Sequence, residues 1–390
     1  MFSDTSSGPV SMLRLPGCVI NEISMLSYVQ ICDILGRMNT ELLKSLVKDG
    51  VSDIHFKVGR PPMLRQHGIL VCADMPVLEA IDIEAIAKEL LDDNARRAFE
   101  KNRQAETSYS VAGLARFRVS IFKQRRMTSI VMRIIPYAVP TLDELIVPPV
   151  VKTIAAYNRG LVLVTGITGS GKSSTLAGMI RFMNELYPYH IITIEDPIEF
   201  LHQDIQSSID QREVGDDARD FPGAFKASLR QDPDVIMVGE MRDIDTMAIA
   251  LRAAETGHLV LSTLHTTDAK ETVGRFIDAF PPYQQNQVRI QLAANLRAVI
   301  SQRLLNKINN DGLILAAEVM IVTAAIRDSI LHPEMRVDIV EHIAKGQDQY
   351  GMRTFDQSIM ELLSKGLISE NEAFANATNA NDMRLRLSLK

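Results

Sequence analysis

The chain has 390 residues, 46% hydrophobic and 23% charged, the proportions of an ordinary globular protein of two or three domains. That composition excludes a wholly disordered chain, a collagen and a coiled-coil rod. Lys and Arg number 42 against 48 Asp and Glu, a net charge of −6, which argues against a general nucleic-acid or anionic-membrane binder while allowing a local basic patch.

No apolar run approaches the roughly 18 residues of a membrane span, and the first residues lack the basic-then-apolar order of a signal peptide. Cys18, Cys32 and Cys72 stand far apart with no CxxC pair, which fits a reducing cytoplasm better than a disulfide framework or a zinc module. Residues 1–37 show weak periodicity around a short apolar piece, Ile23–Leu35, and read as an N-terminal extension. From 38 the pattern sharpens. Leu42, Leu43, Leu46 and Val47 fall at helical spacing, with Thr40 as a cap and Gly50 as a stop. Residues 51–71 alternate and break at Gly59-Arg-Pro-Pro62, as a hairpin does. One helix is expected over 81–100 and two strands over 115–135, so that 38–135 forms a small α+β domain. Pro136, Pro140, Pro148 and Pro149 mark 136–149 as the linker, since proline suits neither helix interiors nor central strands. From 150 to 390 apolar runs (LVLVT, HIITI, DVIMVG, LVLST, LILAAEVM) alternate with amphipathic helices, as in an α/β domain whose parallel strands are buried on both faces. Thr354/Gln357 and Ser369/Glu372 fit capping boxes, and Gly366 fits the stop between them.

Gly166-Ile-Thr-Gly-Ser-Gly-Lys172-Ser173 matches G-x-x-x-x-G-K-[ST], after a strand and before a helix. Glycines let backbone N–H groups curl around phosphate, and the helix N-terminus adds partial positive charge. Gly166, Thr168, Gly169, Ser170, Gly171, Lys172, Ser173 and Ser174 are therefore the nucleotide-binding candidates. Lys172 is expected to reach the β- and γ-phosphates, and the Ser173 hydroxyl to ligate Mg²⁺. In open α/β sheets ligands sit at the C-terminal strand ends. There the chain supplies Glu195, Asp196 and Glu199 after one strand, Gly239 and Glu240 after a second, and His265 after a third. Gly239 stands where a metal-binding Asp is usual. Glu199 and Glu240 are the candidates for polarising water; the competing reading makes such a glutamate a turn cap or an arginine partner. His258 and His265 read as γ-phosphate sensors, or else as structural histidines at strand ends. Residues 116–133 hold six basic side chains and no acid; Arg116 and Arg118 share one strand face, with Arg133 on the next strand. They suit transition-state charge, against the alternatives of a nucleic-acid patch or a solvated face.

Four signatures in order carry a resemblance: the Walker A segment Gly166–Ser173, the Asp box ITIEDPIEF over Ile192–Phe200, the atypical Walker B over Asp234–Glu240, and the His box TGHLVLSTLHTTDA over Thr256–Ala269. From Met38 onward the chain resembles the PilT family of type IV pilus retraction ATPases, within the secretion-ATPase superfamily. The resemblance implies a RecA-like P-loop ATPase domain preceded by a PAS-like domain, a hexameric ring, and ATP with Mg²⁺ at the cleft between the domains. It implies catalytic roles for Glu199 and Glu240, nucleotide contacts from Arg116, Arg118 and Arg133, and coupling of nucleotide state to motion by His258 and His265. It further implies a cytoplasmic homo-oligomer docked on an inner-membrane pilus platform protein, sometimes beside a paralogous pilus ATPase, with no nucleic acid. The family's C-terminal AIRNLIRE-like motif reads here as Ala325-Ile-Arg-Asp-Ser-Ile-Leu-His332, kept at its start and divergent after it. The alternatives are a related secretion or accessory pilus ATPase and, in a different class, a RecA-like nucleic-acid translocase.

Overall fold

The chain divides into two units, Met1–Tyr137 and Ala138–Lys390. The computed structural model describes residues 40–135, 139–309, 312–333 and 338–388; the N-terminal extension read over 1–37 lies outside them.

The first unit runs α1 (Thr40–Leu46), β1 (Val51–Lys57), β2 (Met63–Gln66), β3 (Ile69–Cys72), α2 (Ala80–Leu90), α3 (Asp93–Asn102), β4 (Gln104–Val111), β5 (Ala115–Gln124) and β6 (Met127–Ile135). Its strands form one antiparallel sheet in the order β3-β2-β1-β6-β5-β4. Period-two alternation sends Phe117, Val119 and Ile121 of β5 inward with Ile130 and Met132 of β6, onto Leu42, Leu43 and Leu46 of α1 and Ile83 and Ile86 of α2. The single helix expected over 81–100 is two helices. Leu91 is extended, and the Asp92 side chain accepts the Ala95 N–H at 2.7 Å, so a new N-terminus is capped there. Arg125 and Arg126 both take positive φ, 48° and 67°, the left-handed geometry of a tight turn between β5 and β6.

The second unit begins with α4 (Val150–Ala155), β7 (Gly160–Thr165), α5 (Lys172–Leu186), β8 (His190–Glu195), β9 (Ser208–Glu213), α6 (Phe221–Ser228), β10 (Val235–Val238), α7 (Ile244–Glu255) and β11 (Leu259–Leu264). It continues through α8 (Ala269–Asp278), α9 (Pro282–Asn295), β12 (Leu296–Asn306) and β13 (Leu313–Ile321) to, among the described residues, six further helices. These are α10 (Ala324–Leu331), α11 (Ile339–Lys345), α12 (Gln347–Tyr350), α13 (Phe355–Ser364), α14 (Glu370–Asn376) and α15 (Ala380–Ser388). The strands lie in the order β13-β12-β7-β11-β10-β8-β9, parallel except for β13.

Both faces are covered, which is why the strands read as unbroken apolar runs. Leu161, Leu163, Ile236, Val238 and Val260 face α7, α8 and α9 through Leu251, Phe276 and Leu292. Val162, Val164, Val235, Leu259 and Leu261 face α4 and α5 through Ile154, Leu176, Met179 and Met183. The C-terminal helices make a smaller core of their own on Leu305 and Ile314, with Phe355, Ile359 and Leu362. Thr354 and Gln357 form the reciprocal capping box at the start of α13, and Gly366 (φ 68°) follows that helix. This is the RecA-like α/β core, with the C-terminal ends of β7, β8, β10 and β11 at one edge.

Candidate nucleotide site

The loop after β7 turns at Gly166, Gly169 and Gly171, with φ of 145°, 79° and 90°. At Gly166 glycine is required twice over: a Cβ there would lie 2.4 Å from Ser170 Oγ and 2.6 Å from the Gln302 carbonyl. The loop opens α5, whose first residue, Lys172, is buried. Its ammonium donates to the carbonyls of Gly166 (2.9 Å) and Ile167 (3.0 Å), closing the loop on itself. Burial holds the Lys172 pKa below the ordinary lysine value, against the opposing pull of Glu240 and Glu199.

The neighbouring strands bring acids to the same edge. Their ends enclose a cavity of about 300 Å³ lined by Thr168, Gly169, Lys172 and Ser173 from the loop and helix, and by Glu195, Glu199, Glu240 and His265. Glu240, after β10, is bridged by Arg242 Nε at 2.9 Å and by His265 Nε2 at 3.0 Å. The Thr263 hydroxyl donates to the Gly239 carbonyl at 2.7 Å, locking β11 to the turn that carries Glu240. Glu195 is buried, and burial pushes its carboxyl up to about 7. His202, on the same wall, is pushed down to about 4 by burial, so it is neutral at physiological pH.

Thr168, Gly169, Lys172, Ser173, Glu199, Glu240 and His265 therefore converge on one cavity. Gly166 and Ser170, with Gly169, line a second cavity of about 500 Å³ beside Gln302 and Arg303. Gly171 caps α5 and Ser174 sits in its first turn. His258 is not brought to this cavity. It precedes β11 at the opposite end from His265, a strand length of roughly 20 Å away, and its Nδ1 lies 3.1 Å from the Ala253 carbonyl and 3.2 Å from Thr256 Oγ1. Arg116, Arg118 and Arg133 belong to the first unit, where each engages its own sheet. Arg118 pairs with Glu106 at 2.8 Å and Arg133 with Asp53 at 2.9 Å, while Arg116 donates to Ser108 (2.8 Å) and Ser110 (3.2 Å). Sequence reasoning gave no role to Arg242, Thr263 or His202. The signals were a cation two residues after Glu240, a hydroxyl late in an apolar strand, and an imidazole just past the Asp box.

Ser173, Glu199 and Glu240 offer hydroxyl and carboxylate oxygens at one cavity, a hard-donor set that fits Mg²⁺ rather than a thiophilic metal. Among the described residues no helix is long and apolar enough to cross a membrane.

A phosphate loop at the mouth of a parallel sheet, with carboxylates on two other strand ends, defines a P-loop nucleotide hydrolase of the RecA-like class. Residues 33–313 match the model of the Type II/IV secretion system protein family, and the chain belongs to that family. It is 45% identical over 334 residues to the type IV pilus retraction ATPase PilT of Pseudomonas aeruginosa, covering 86% of this chain and 96% of that protein. The type IV pilus ATPase PilU of the same species is 39% identical over 349 residues, 90% of this chain and 91% of that one. Among solved structures, the pilus retraction motor PilT with bound ADP superimposes with a TM-score of 0.81 at 40% identity, over 90% of this chain and 99% of that one.

Proposed function

We propose that this protein is an ATP-hydrolysing motor subunit that powers retraction of a type IV pilus. The observation that carries the reading is the meeting of Lys172 and Ser173 with Glu199, Glu240 and His265 at one cavity, in a chain 45% identical to a retraction ATPase. ATP enters as substrate, and its phosphates replace the Gly166 and Ile167 carbonyls as partners of the Lys172 ammonium. Ser173, with Glu240 acting through water, would hold Mg²⁺, which neutralises charge on the phosphates when bound. Glu240 and Glu199 orient the attacking water, and His265 reports the phosphate state to Glu240 through their 3.0 Å contact. Arg116, Arg118 and Arg133 take the charge-stabilising role that the family resemblance implies. Six copies form the ring, which works at the cytoplasmic face of the inner membrane on a pilus platform protein.

Light scattering with ATPase activity read on the same fractions tests the motor. A hydrolysing ring of about six subunits supports it; an inactive monomer with and without ATP and Mg²⁺ overturns it. The 39% match to PilU favours a second reading, an ATPase that works beside a paralogous pilus ATPase. Turnover by the purified chain alone separates the two, because an accessory subunit needs its paralogue.

A further inference from the structure

β8 and β9 are parallel neighbours, so the chain between them must travel back a full strand length. It does so over residues 196–207 without helix or strand, and this segment carries Glu199. Backbone groups in such a segment need side-chain partners. The far half finds them in Asn184 of α5, which accepts the N–H groups of Ile205 (3.0 Å) and Ser207 (3.2 Å) and donates to the Gln203 carbonyl (2.7 Å).

The near half, around Glu199, is held from β9. Gln211 accepts the His202 N–H at 2.8 Å and donates to the Phe200 carbonyl at 2.9 Å and to Glu195 Oε1 at 3.2 Å. Two residues on, Glu213 accepts the Ile198 N–H at 3.2 Å. Glu195, itself held by the Thr193 hydroxyl at 2.7 Å, accepts the N–H of Glu199 at 3.4 Å. Thr193 faces Gln211 across the strands, and Glu195 faces Glu213, so four polar side chains form two adjacent cross-strand rows. Thr193, Glu195 and Glu213 are 0%, 8% and 8% exposed, and burying such groups is costly unless they are bonded. Glu213 takes its bond from Ile198, Glu195 from Glu199 itself and Gln211 makes its bonds with Phe200 and His202, so the rows hold the backbone from just before Glu199 to just after it. A polar platform at a sheet edge is thus used to fix one short stretch of loop.

We propose that Gln211 is a positioning residue for ATP hydrolysis: its side-chain amide holds the loop just after Glu199, at Phe200 and His202, while Glu195 and Glu213 hold it at Glu199 and Ile198, and so sets that carboxylate against the attacking water. The inference rests on the catalytic reading of Glu199 given above. Gln211 lies outside all four motifs and does not line the cavity, so its effect runs through geometry alone. A displacement of about 1 Å at a reacting group costs on the order of 100-fold.

The test uses the full-length protein and four variants: Gln211→Met, which keeps length and removes the amide, Gln211→Glu, Glu199→Gln, and the double variant Glu199→Gln/Gln211→Met. Steady-state ATP turnover, KM and ADP affinity are measured for each. Gln211→Met should lower kcat about 10- to 100-fold with KM and ADP affinity within about threefold. The double variant should be no slower than Glu199→Gln alone, because the clamp has nothing left to position. Gln211→Glu keeps the acceptor for His202 and loses the donor to Phe200 and to Glu195, so it should show the same kcat-only loss should the methionine variant misfold. Parent turnover in both Gln211 variants, or a double variant whose loss is the product of the two single losses, overturns the clamp and leaves Glu199 catalytic. Parent turnover in Glu199→Gln overturns the catalytic reading itself, and the clamp with it.

Discussion

Replacing Lys172 with alanine tests the phosphate site, because two effects of different size separate cleanly. In the folded protein the ammonium makes two hydrogen bonds, to Gly166 and Ile167, in a largely buried setting that depresses its pKa. Removing it loses those bonds but also relieves the burial of a charge, and the two effects nearly cancel. The expected change in stability is within about 1 kcal/mol, or roughly 2–4 °C in Tm for a unit of this size. On the proposed function, the same ammonium makes charge-assisted bonds to phosphate when nucleotide is bound, each worth about 1.5–3 kcal/mol. Two of them amount to about 3–6 kcal/mol, or roughly 10²- to 10⁴-fold in kcat/KM. Phosphate release, differential scanning fluorimetry and ADP binding on one preparation read all three quantities. Turnover within about threefold of the parent, with a normal Tm, would refute the placement of phosphate at this loop.

Glu240→Gln and Glu199→Gln should each lower kcat by on the order of 100-fold or more while ADP still binds, read by turnover and equilibrium binding in parallel. Glu318 is buried in β13, accepts the Ala269 N–H at 2.9 Å, and is pushed by burial from 4.5 up to about 7. The folded state therefore holds a proton that the unfolded state releases above pH 4.5, so this group's contribution to stability falls as pH rises toward 7. Its size is on the order of 3 kcal/mol, and Glu318→Gln should gain in Tm on the parent between about pH 5 and pH 8; a difference constant with pH refutes the shift. Asn184→Ala leaves the Ile205 and Ser207 N–H groups without their acceptor, which should cost about 2–3 kcal/mol, measured by urea unfolding. Asp92→Ala removes the cap between α2 and α3 and should cost about 1 kcal/mol in the same assay.

The parts legible in the sequence are those where one physical requirement dominates. Strands β7, β8, β10 and β11 stand out because burial on both faces forces continuous apolar runs, and the phosphate loop because three turns demand glycine. Strands held by polar bonds carry no such pattern. β12 is interrupted by Ser301, Gln302 and Arg303. Yet Ser301 bonds Thr165 at 2.8 Å and Gln302 bonds Thr175 at 2.6 Å, so the polar residues are buried parts of the sheet and the helix behind it. β9 is an edge strand, Ser208–Glu213, whose polar residues serve the adjoining loop rather than a core. β4 buries only Ala105 and Val111, too little for an alternating pattern to show. The break at Leu91–Asp92 is marked in the sequence by a capping residue alone, because α3, DNARRAFEKN, buries only Ala95 and carries no apolar pattern that would set it apart from α2. In the site, spacing names the acids but not their partners. That Glu240 meets both His265 and Arg242, while His258 stays at the far end of β11, follows from strand direction.

The position of β7 in its sheet also governs how the protein is made. This strand is the first of its unit to leave the ribosome, yet its two flanks are β11 and β12, completed only at Leu264 and Asn306. β8, next to be synthesised, is not its neighbour. Through the 93 residues between Thr165 and Leu259 the nascent chain carries an apolar strand whose hydrogen-bonding partners do not yet exist. Such strands are aggregation-prone, and parallel pairings of this sequence separation form slowly. The Thr165–Ser301 bond cannot form before β12 arrives. A chain stalled before β12 therefore leaves one edge of β7 unpaired, an apolar strand edge of the kind that aggregates, although the glycine loop that follows β7 was synthesised long before.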